Sequence, residues 1–179
     1  MGEHSEASRL DRRQFLGRST AAVALMVVTG NAVIHTIEAW GLETKTLEPE
    51  AMRTLIKMAR DIYPHDRLDD RFYAVACKSY DTKSASDATL KALIEEGVST
   101  FDDAAMKAHN SPYAAVASEA ERAALLKANS GTALFKKLRS DLVVSLYNQK
   151  EVWPLFGYEG ESASKGGYLM RGFNDIDWL

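Results

Sequence analysis

The chain has 179 residues, 46% of them apolar and 26% charged, with a formal net charge of −3. Those fractions suit one globular domain with a core of its own, and they exclude wholesale disorder, as four prolines and eleven glycines exclude a collagen-like or low-complexity chain. The acidic balance leaves no electrostatic footprint for nucleic acid, and the single cysteine, Cys77, excludes an internal disulfide, a cysteine-rich metal site and haem attachment through Cys-x-x-Cys-His.

Residues 1–40 read as an address separate from the fold. Arg9, Arg12, Arg13 and Arg18 surround the run Asp11-Arg12-Arg13-Gln14-Phe15-Leu16-Gly17, and an apolar stretch follows from Ala21 to Val28. That stretch is too short to span a bilayer, which takes about 20 apolar residues. A basic region before a short apolar one is the layout of a secretory signal. The paired Arg12 and Arg13, with Phe15 and Leu16 behind them, resemble the twin-arginine (Tat) export signal in particular. No clean Ala-x-Ala site occurs. Processing is expected between Gly30 and Gly41, with an uncleaved anchor as the alternative. Because the segment carries four basic and four acidic residues, its removal leaves the net charge at −3. Tat substrates cross the membrane folded, so the address implies assembly with a cofactor or partner in the cytoplasm.

Residues 41–179 read as a single helical domain. From Thr46 onward Met52, Leu55, Ile56, Ala59 and Ile62 recur at three- and four-residue spacing, with Pro49 tolerated in the first turn. Pro64 ends this helix, because it pushes Tyr63 out of the helical region. A second helix is expected from Asp69 or Asp70, whose carboxylates suit an N-terminus, with Phe72, Val75, Ala76 and Tyr80 on one face. A third runs from about Ser86 to Ala108 with Leu90, Leu93, Ile94, Val98, Phe101 and Ala105 in register, and Gly97 within it permits a close crossing. Ser118-Glu119-Ala120-Glu121 has the form of a capping box opening a fourth helix, which presents Leu125 and Leu126 before Ser130-Gly131. A fifth, from about Thr132 to Asn148, places Phe135, Leu138, Leu142, Leu146 and Tyr147 on a broad apolar face. No sustained strand alternation occurs, so the expected fold is all-α, an irregular helical bundle of about five helices.

The segment 151–179 differs in kind. It holds Trp153, Phe156, Tyr158, Tyr168, Phe173 and Trp178 together with Gly157, Gly160, Gly166, Gly167 and Gly172. Rings on a permissive backbone predict a long ordered loop that packs by its aromatic side chains, over its own bundle or into a partner.

Catalytic equipment is sparse. There is no Gly-x-Ser-x-Gly, no phosphate-binding loop and no dinucleotide fingerprint. Cys77 sits mid-helix and reads as a small core residue, an intermolecular disulfide being the minor alternative. His65, Asp66, Asp69 and Asp70 form the one dense cluster of potential metal ligands; a solvated turn whose aspartates cap the next helix explains the same residues without a cofactor and is the favoured reading. His35 and His109 have no convergent partners in sequence.

The segment Leu55-Ile56-Lys57-Met58-Ala59-Arg60-Asp61-Ile62-Tyr63-Pro64-His65-Asp66 resembles the first helix and turn of the gluconate 2-dehydrogenase subunit 3 family. Tyr147-Asn148, Val152-Trp153, Phe156-Gly157-Tyr158-Glu159-Gly160, Gly166-Gly167-Tyr168, Arg171-Gly172-Phe173 and the ending Asp175-Ile176-Asp177-Trp178-Leu179 resemble its C-terminal region. The likeness runs from about Thr46 to the end. It implies a small, Tat-exported, non-catalytic subunit that accompanies a large FAD-containing dehydrogenase of the glucose-methanol-choline class. It implies a third, membrane-associated subunit carrying haem c, and a periplasmic complex associated with the inner membrane. Flavin and substrate chemistry then belong to the large subunit. No catalytic, cofactor-binding or metal-binding residue is carried over to this chain, and Trp153, Phe156, Tyr158, Tyr168, Phe173 and Trp178 are the candidate partner anchors. Two readings from other classes stand beside it: a periplasmic metal-binding protein built on His65, Asp66, Asp69 and Asp70, and a free-standing binding module that uses the aromatic segment.

Overall fold

The computed structural model describes residues 44–170 and Phe173. Among them the chain forms five α-helices and no strand, the all-α bundle that the periodicity predicts. The helices are α1 (Pro49–Ile62), α2 (Asp70–Ser84), α3 (Ala88–His109), α4 (Glu119–Ala128) and α5 (Ala133–Ser145). Short 3₁₀ turns follow at Tyr113–Ala115, Trp153–Phe156 and Ser162–Lys165. No helix among the described residues is long and apolar enough to cross a membrane.

Helix α1 is the central element and packs against all four others. Its Leu55, Met58 and Ala59 are fully buried, so this one helix needs apolar residues on several faces where a surface helix needs one. Pro49 occupies the first turn, where its missing N–H costs nothing, and Pro64 follows the end of the helix. Helix α2 corrects the expected face. Phe72, Tyr73, Ala76, Cys77 and Tyr80 form the buried stripe, and Val75 lies outside it, half exposed. Cys77 is completely buried, which places its thiol beyond the reach of a partner's cysteine.

Helix α3 begins at Asp87, whose carboxylate accepts from the Leu90 N–H, and ends at Asn110 in the left-handed conformation. Midway along it, Gly97 lets α5 approach closely: a Cβ at that position would lie 2.5 Å from Leu134 Cβ. The Ser118 side chain caps α4 by accepting from the Glu121 N–H. The reciprocal half of the capping box does not close, because the Glu121 carboxylate faces His109 instead, at 3.7 Å. Helix α5 buries Leu134, Leu138 and Leu142 and stops at Ser145, short of the expected Asn148. Gln149 then donates its amide to the Ser145 and Phe72 carbonyls, satisfying a helix-end acceptor while tying the exit of α5 to α2.

Two polar devices close the domain, and neither has a local sequence signature. Asp61, at the end of α1, meets Arg122 of α4 through two bonds of 2.7 and 2.9 Å. The Tyr113 hydroxyl donates to the same carboxylate at 2.8 Å. The remaining Arg122 nitrogen donates to the Val116 and Ala117 carbonyls, so this buried guanidinium has an acceptor on every side. Asp81 of α2 accepts the backbone N–H groups of Lys45, Thr46 and Leu47. That clamp fixes the strap leading into α1.

Candidate partner-binding surface

The aromatic C-terminal segment leaves α5 through Leu146 and Val152, both buried, and is fastened by Trp153. The Trp153 indole N–H donates to the Tyr147 carbonyl at 2.8 Å, and the Tyr158 ring meets the indole edge-on with centroids 5.3 Å apart. Gly160 sits against the indole with φ +99°, a conformation side chains rarely adopt, and a Cβ there would lie 3.4 Å from the ring. Trp153 thus works within its own chain, as a half-buried staple.

Beyond the staple the rings turn outward. Phe156 is 40% exposed, Tyr158 51%, Tyr168 62% and Phe173 81%. Leu169 and Met170, which the ring pattern of the sequence passed over, are 83% and 90% exposed. Their signal was their position, directly behind Tyr168 in an otherwise polar, glycine-rich stretch. Exposed apolar side chains scattered singly are ordinary, whereas six lie here between positions 156 and 173, which makes the segment a candidate interaction surface. Trp178 and the export-signal residues Arg12, Arg13, Phe15 and Leu16 lie outside the described residues.

A row of rings joins this surface to the bundle. Phe156 packs edge-on against His65 at 4.9 Å and lies 6.0 Å from Tyr147. Tyr147 in turn meets Tyr63 at 5.9 Å, edge to face. His65 Nε2 shares a 2.6 Å hydrogen bond with the Tyr147 hydroxyl. Burial among these rings lowers the His65 pKa below its ordinary value, and the nearby Arg60 lowers it further against the opposing pull of Asp66. At neutral pH the ring is therefore uncharged and serves as a packing and hydrogen-bonding partner. Arg67 donates to the Leu155 carbonyl at 3.3 Å, a second tie between the α1–α2 turn and the C-terminal segment.

The sequence cluster His65, Asp66, Asp69 and Asp70 is not brought together as a ligand set. Asp70 pairs with Arg60 at 3.0 Å, Asp69 lies 4.0 Å from Arg71, and His65 is engaged by Tyr147. Among the described residues no three His, Cys, Asp or Glu side chains converge on a point a metal could occupy. Asp69 does occupy the N-cap position of α2, but its side chain makes no cap hydrogen bond.

Cys77 offers no nucleophile. Burial pushes its thiol up to about 12, so the thiolate that would react is not formed at neutral pH. Tyr73, Tyr80, Tyr113 and Tyr147 have raised pKa values, in each case first through burial; at Tyr80 and Tyr113 the neighbouring Asp141 and Asp61 add to it. The Tyr80 and Tyr113 hydroxyls donate to Asp141 and Asp61 and brace helices. The chain matches no protein-family model, no curated protein and no solved structure.

Proposed function

We propose that this chain is a non-catalytic accessory subunit of an exported FAD-dependent dehydrogenase, of the gluconate 2-dehydrogenase kind, and that its aromatic C-terminal segment docks on the large flavin subunit. The observation that carries the reading is the set of outward-facing Phe156, Tyr158, Tyr168, Leu169, Met170 and Phe173, on a domain whose own core is already closed by α1. These side chains lie outside the buried core and keep 40–90% of their surface exposed, and aromatic and methionine side chains are enriched in protein interfaces. The twin-arginine signal at Arg12 and Arg13 gives the partner a route of export. A flavoprotein that folds around FAD in the cytoplasm can cross with this subunit and lodge in the periplasm, beside a cytochrome c subunit at the inner membrane. The substrate chemistry then lies wholly in the partner.

A stable docking of this kind buries about 1,600 Å² or more in total. The test is purification of the tagged, natively expressed chain from periplasmic and membrane fractions. A stoichiometric larger chain with flavin absorbance is expected, and R12K/R13K is expected to strand that chain in the cytoplasm. A lone, colourless protein would overturn the reading in favour of a free-standing binding module.

A further inference from the structure

Helix α5 has a second face that the bundle does not use. Leu134, Leu138 and Leu142 point into the core, while Lys136, Arg139, Ser140 and Val143 recur at helical spacing on another side. With Tyr63, Ser130 and Phe135 they line an open groove of about 490 Å³. Its charge is positive. Lys137, one residue away, is neutralised by Asp141 at 3.1 Å, but neither Lys136 nor Arg139 meets a carboxylate among the described residues. The groove floor is half apolar, from the Phe135 and Tyr63 rings and Val143. The Tyr63 hydroxyl donates to the Arg139 carbonyl at 3.0 Å and so holds that wall in place.

The groove is also continuous with the aromatic surface. Tyr63 lines it, Tyr63 touches Tyr147, and Tyr147 touches Phe156. We infer that the groove along α5 receives an acidic segment of the large subunit, with one apolar or aromatic side chain seated between Phe135 and Val143 and carboxylates meeting Lys136 and Arg139. The inference rests on the proposed accessory-subunit reading and extends its docking surface from the C-terminal segment onto the bundle. Charge complementarity selects the occupant: two cations that meet no carboxylate among the described residues, over an apolar floor, match a segment that carries both carboxylates and a hydrophobic anchor. Arg139 brings a planar fork suited to a carboxylate, and Lys136 a mobile point charge.

The test uses the natively expressed, tagged full chain and its co-purifying partner. In K136E/R139E, retention of the flavin-bearing chain is expected to fall about tenfold or more at low salt. Wild-type retention is expected to weaken when NaCl is raised from about 50 to about 300 mM, and the variant's to change little. The charge-matched reversal K107E/K127E, on exposed positions of α3 and α4, should bind as wild type. Circular dichroism checks that each variant is folded. A photo-crosslinking amino acid in place of the exposed Val143 is expected to join a partner peptide rich in Asp and Glu. If wild type retains the flavoprotein while K136E/R139E retains it equally, or if the Val143 adduct maps to a segment without acidic excess, the groove inference fails and the subunit reading stands. If wild type retains no flavoprotein, both fall together.

Discussion

Removing Arg122 exposes how much of the domain's stability depends on one buried ion pair. The Asp61 and Arg122 side chains are 1% and 5% exposed, and the guanidinium makes two bonds to the carboxylate and two to the Val116 and Ala117 carbonyls. In R122M the carboxylate keeps a single donor, the Tyr113 hydroxyl at 2.8 Å, in a site that water does not reach. Breaking a buried pair from one side costs about 3–5 kcal/mol, because a charge is left uncompensated. Removing both charges is a different perturbation. D61L/R122M leaves no buried charge, but it strands the Tyr113 hydroxyl, an orphaned polar group worth about 1–3 kcal/mol. Y113F in the same background removes that group as well. Stability is therefore expected to fall sharply in R122M, recover in D61L/R122M, and recover further in the triple variant. The assay is urea unfolding of the purified protein followed by far-UV circular dichroism, with the coupling energy read from the double-mutant cycle. Additive single-mutant costs, or an R122M penalty below about 1 kcal/mol, would refute the argument that desolvation dominates this site.

Three other perturbations test separate features of the bundle. G97V should destabilise by about 1–3 kcal/mol, despite the poor helix propensity of glycine, because its Cβ would meet Leu134 at 2.5 Å and force α3 from α5; a neutral result in thermal unfolding would mean the crossing is not tight. D81N should cost about 1.5–3 kcal/mol, since a carboxylate that accepts three backbone N–H groups becomes an amide. At Asp81, burial pushes the pKa up, but the N–H groups of Leu47, Lys45 and Thr46 outweigh it, so the native carboxyl titrates below its ordinary value of 3.8. Its contribution is therefore full above the unfolded pKa and is lost as pH falls through the lowered native value; the wild-type advantage over D81N should shrink in that acid window and nowhere else. Cys77, with its thiol raised to about 12, should resist DTNB in the folded protein and react at once in urea; prompt labelling of the native state would contradict its burial.

The helices were legible because burial imposes a local period. Met52, Leu55, Ile56 and Ala59, which set the first helix, are buried in α1, while Ile62 at its end is partly buried, and the close crossing expected at Gly97 matches the closeness of Leu134. Val75 was assigned to the wrong face because a stripe drawn at three-residue steps from Phe72 competes with one drawn at four, and the tyrosine at 73 settles it. Its hydroxyl reaches the Tyr63 carbonyl at 2.7 Å, which turns that side of α2 inward. The Asp61–Arg122 pair and the Asp81 clamp were not legible, since their partners lie 61 and about 35 residues apart and no spacing rule connects them. The groove cations were hidden for a related reason. Lys136 and Arg139 read as an ordinary solvated face, and only the three-dimensional arrangement shows that, among the described residues, Lys137 has a carboxylate partner and they do not.

The division of the C-terminal segment at Trp153 bears on how the proposed docking would work. An aromatic segment free along its whole length would lose all its conformational freedom on binding, at about 1–2 kcal/mol of backbone entropy per residue ordered. Here the first part is ordered before any partner arrives. The indole N–H is bonded to Tyr147, Tyr158 packs on the ring, Arg67 holds the Leu155 carbonyl, and Phe156 rests on His65. Phe156 and Tyr158 are thereby presented with their backbone already fixed. The entropic cost of docking them is reduced to side-chain rotamers, about 0.5–1.5 kcal/mol each. The same staple places this pre-ordered stretch next to the ring row that leads through Tyr147 and Tyr63 to the α5 groove. Disrupting Trp153 should therefore weaken partner binding through a ring that is itself half-buried, whereas F173A should weaken it through lost contact alone. The two differ in a readout that contact cannot mimic. W153A is expected to lower the thermal midpoint of the uncomplexed chain, since it removes the indole hydrogen bond to the Tyr147 carbonyl and the Tyr158 packing, at a cost below the roughly 3–5 kcal/mol of truncating a fully buried tryptophan, and F173A is expected to leave it unchanged. Equal midpoints for the two variants would mean that the segment is not stapled, and that its rings are ordered only by the partner.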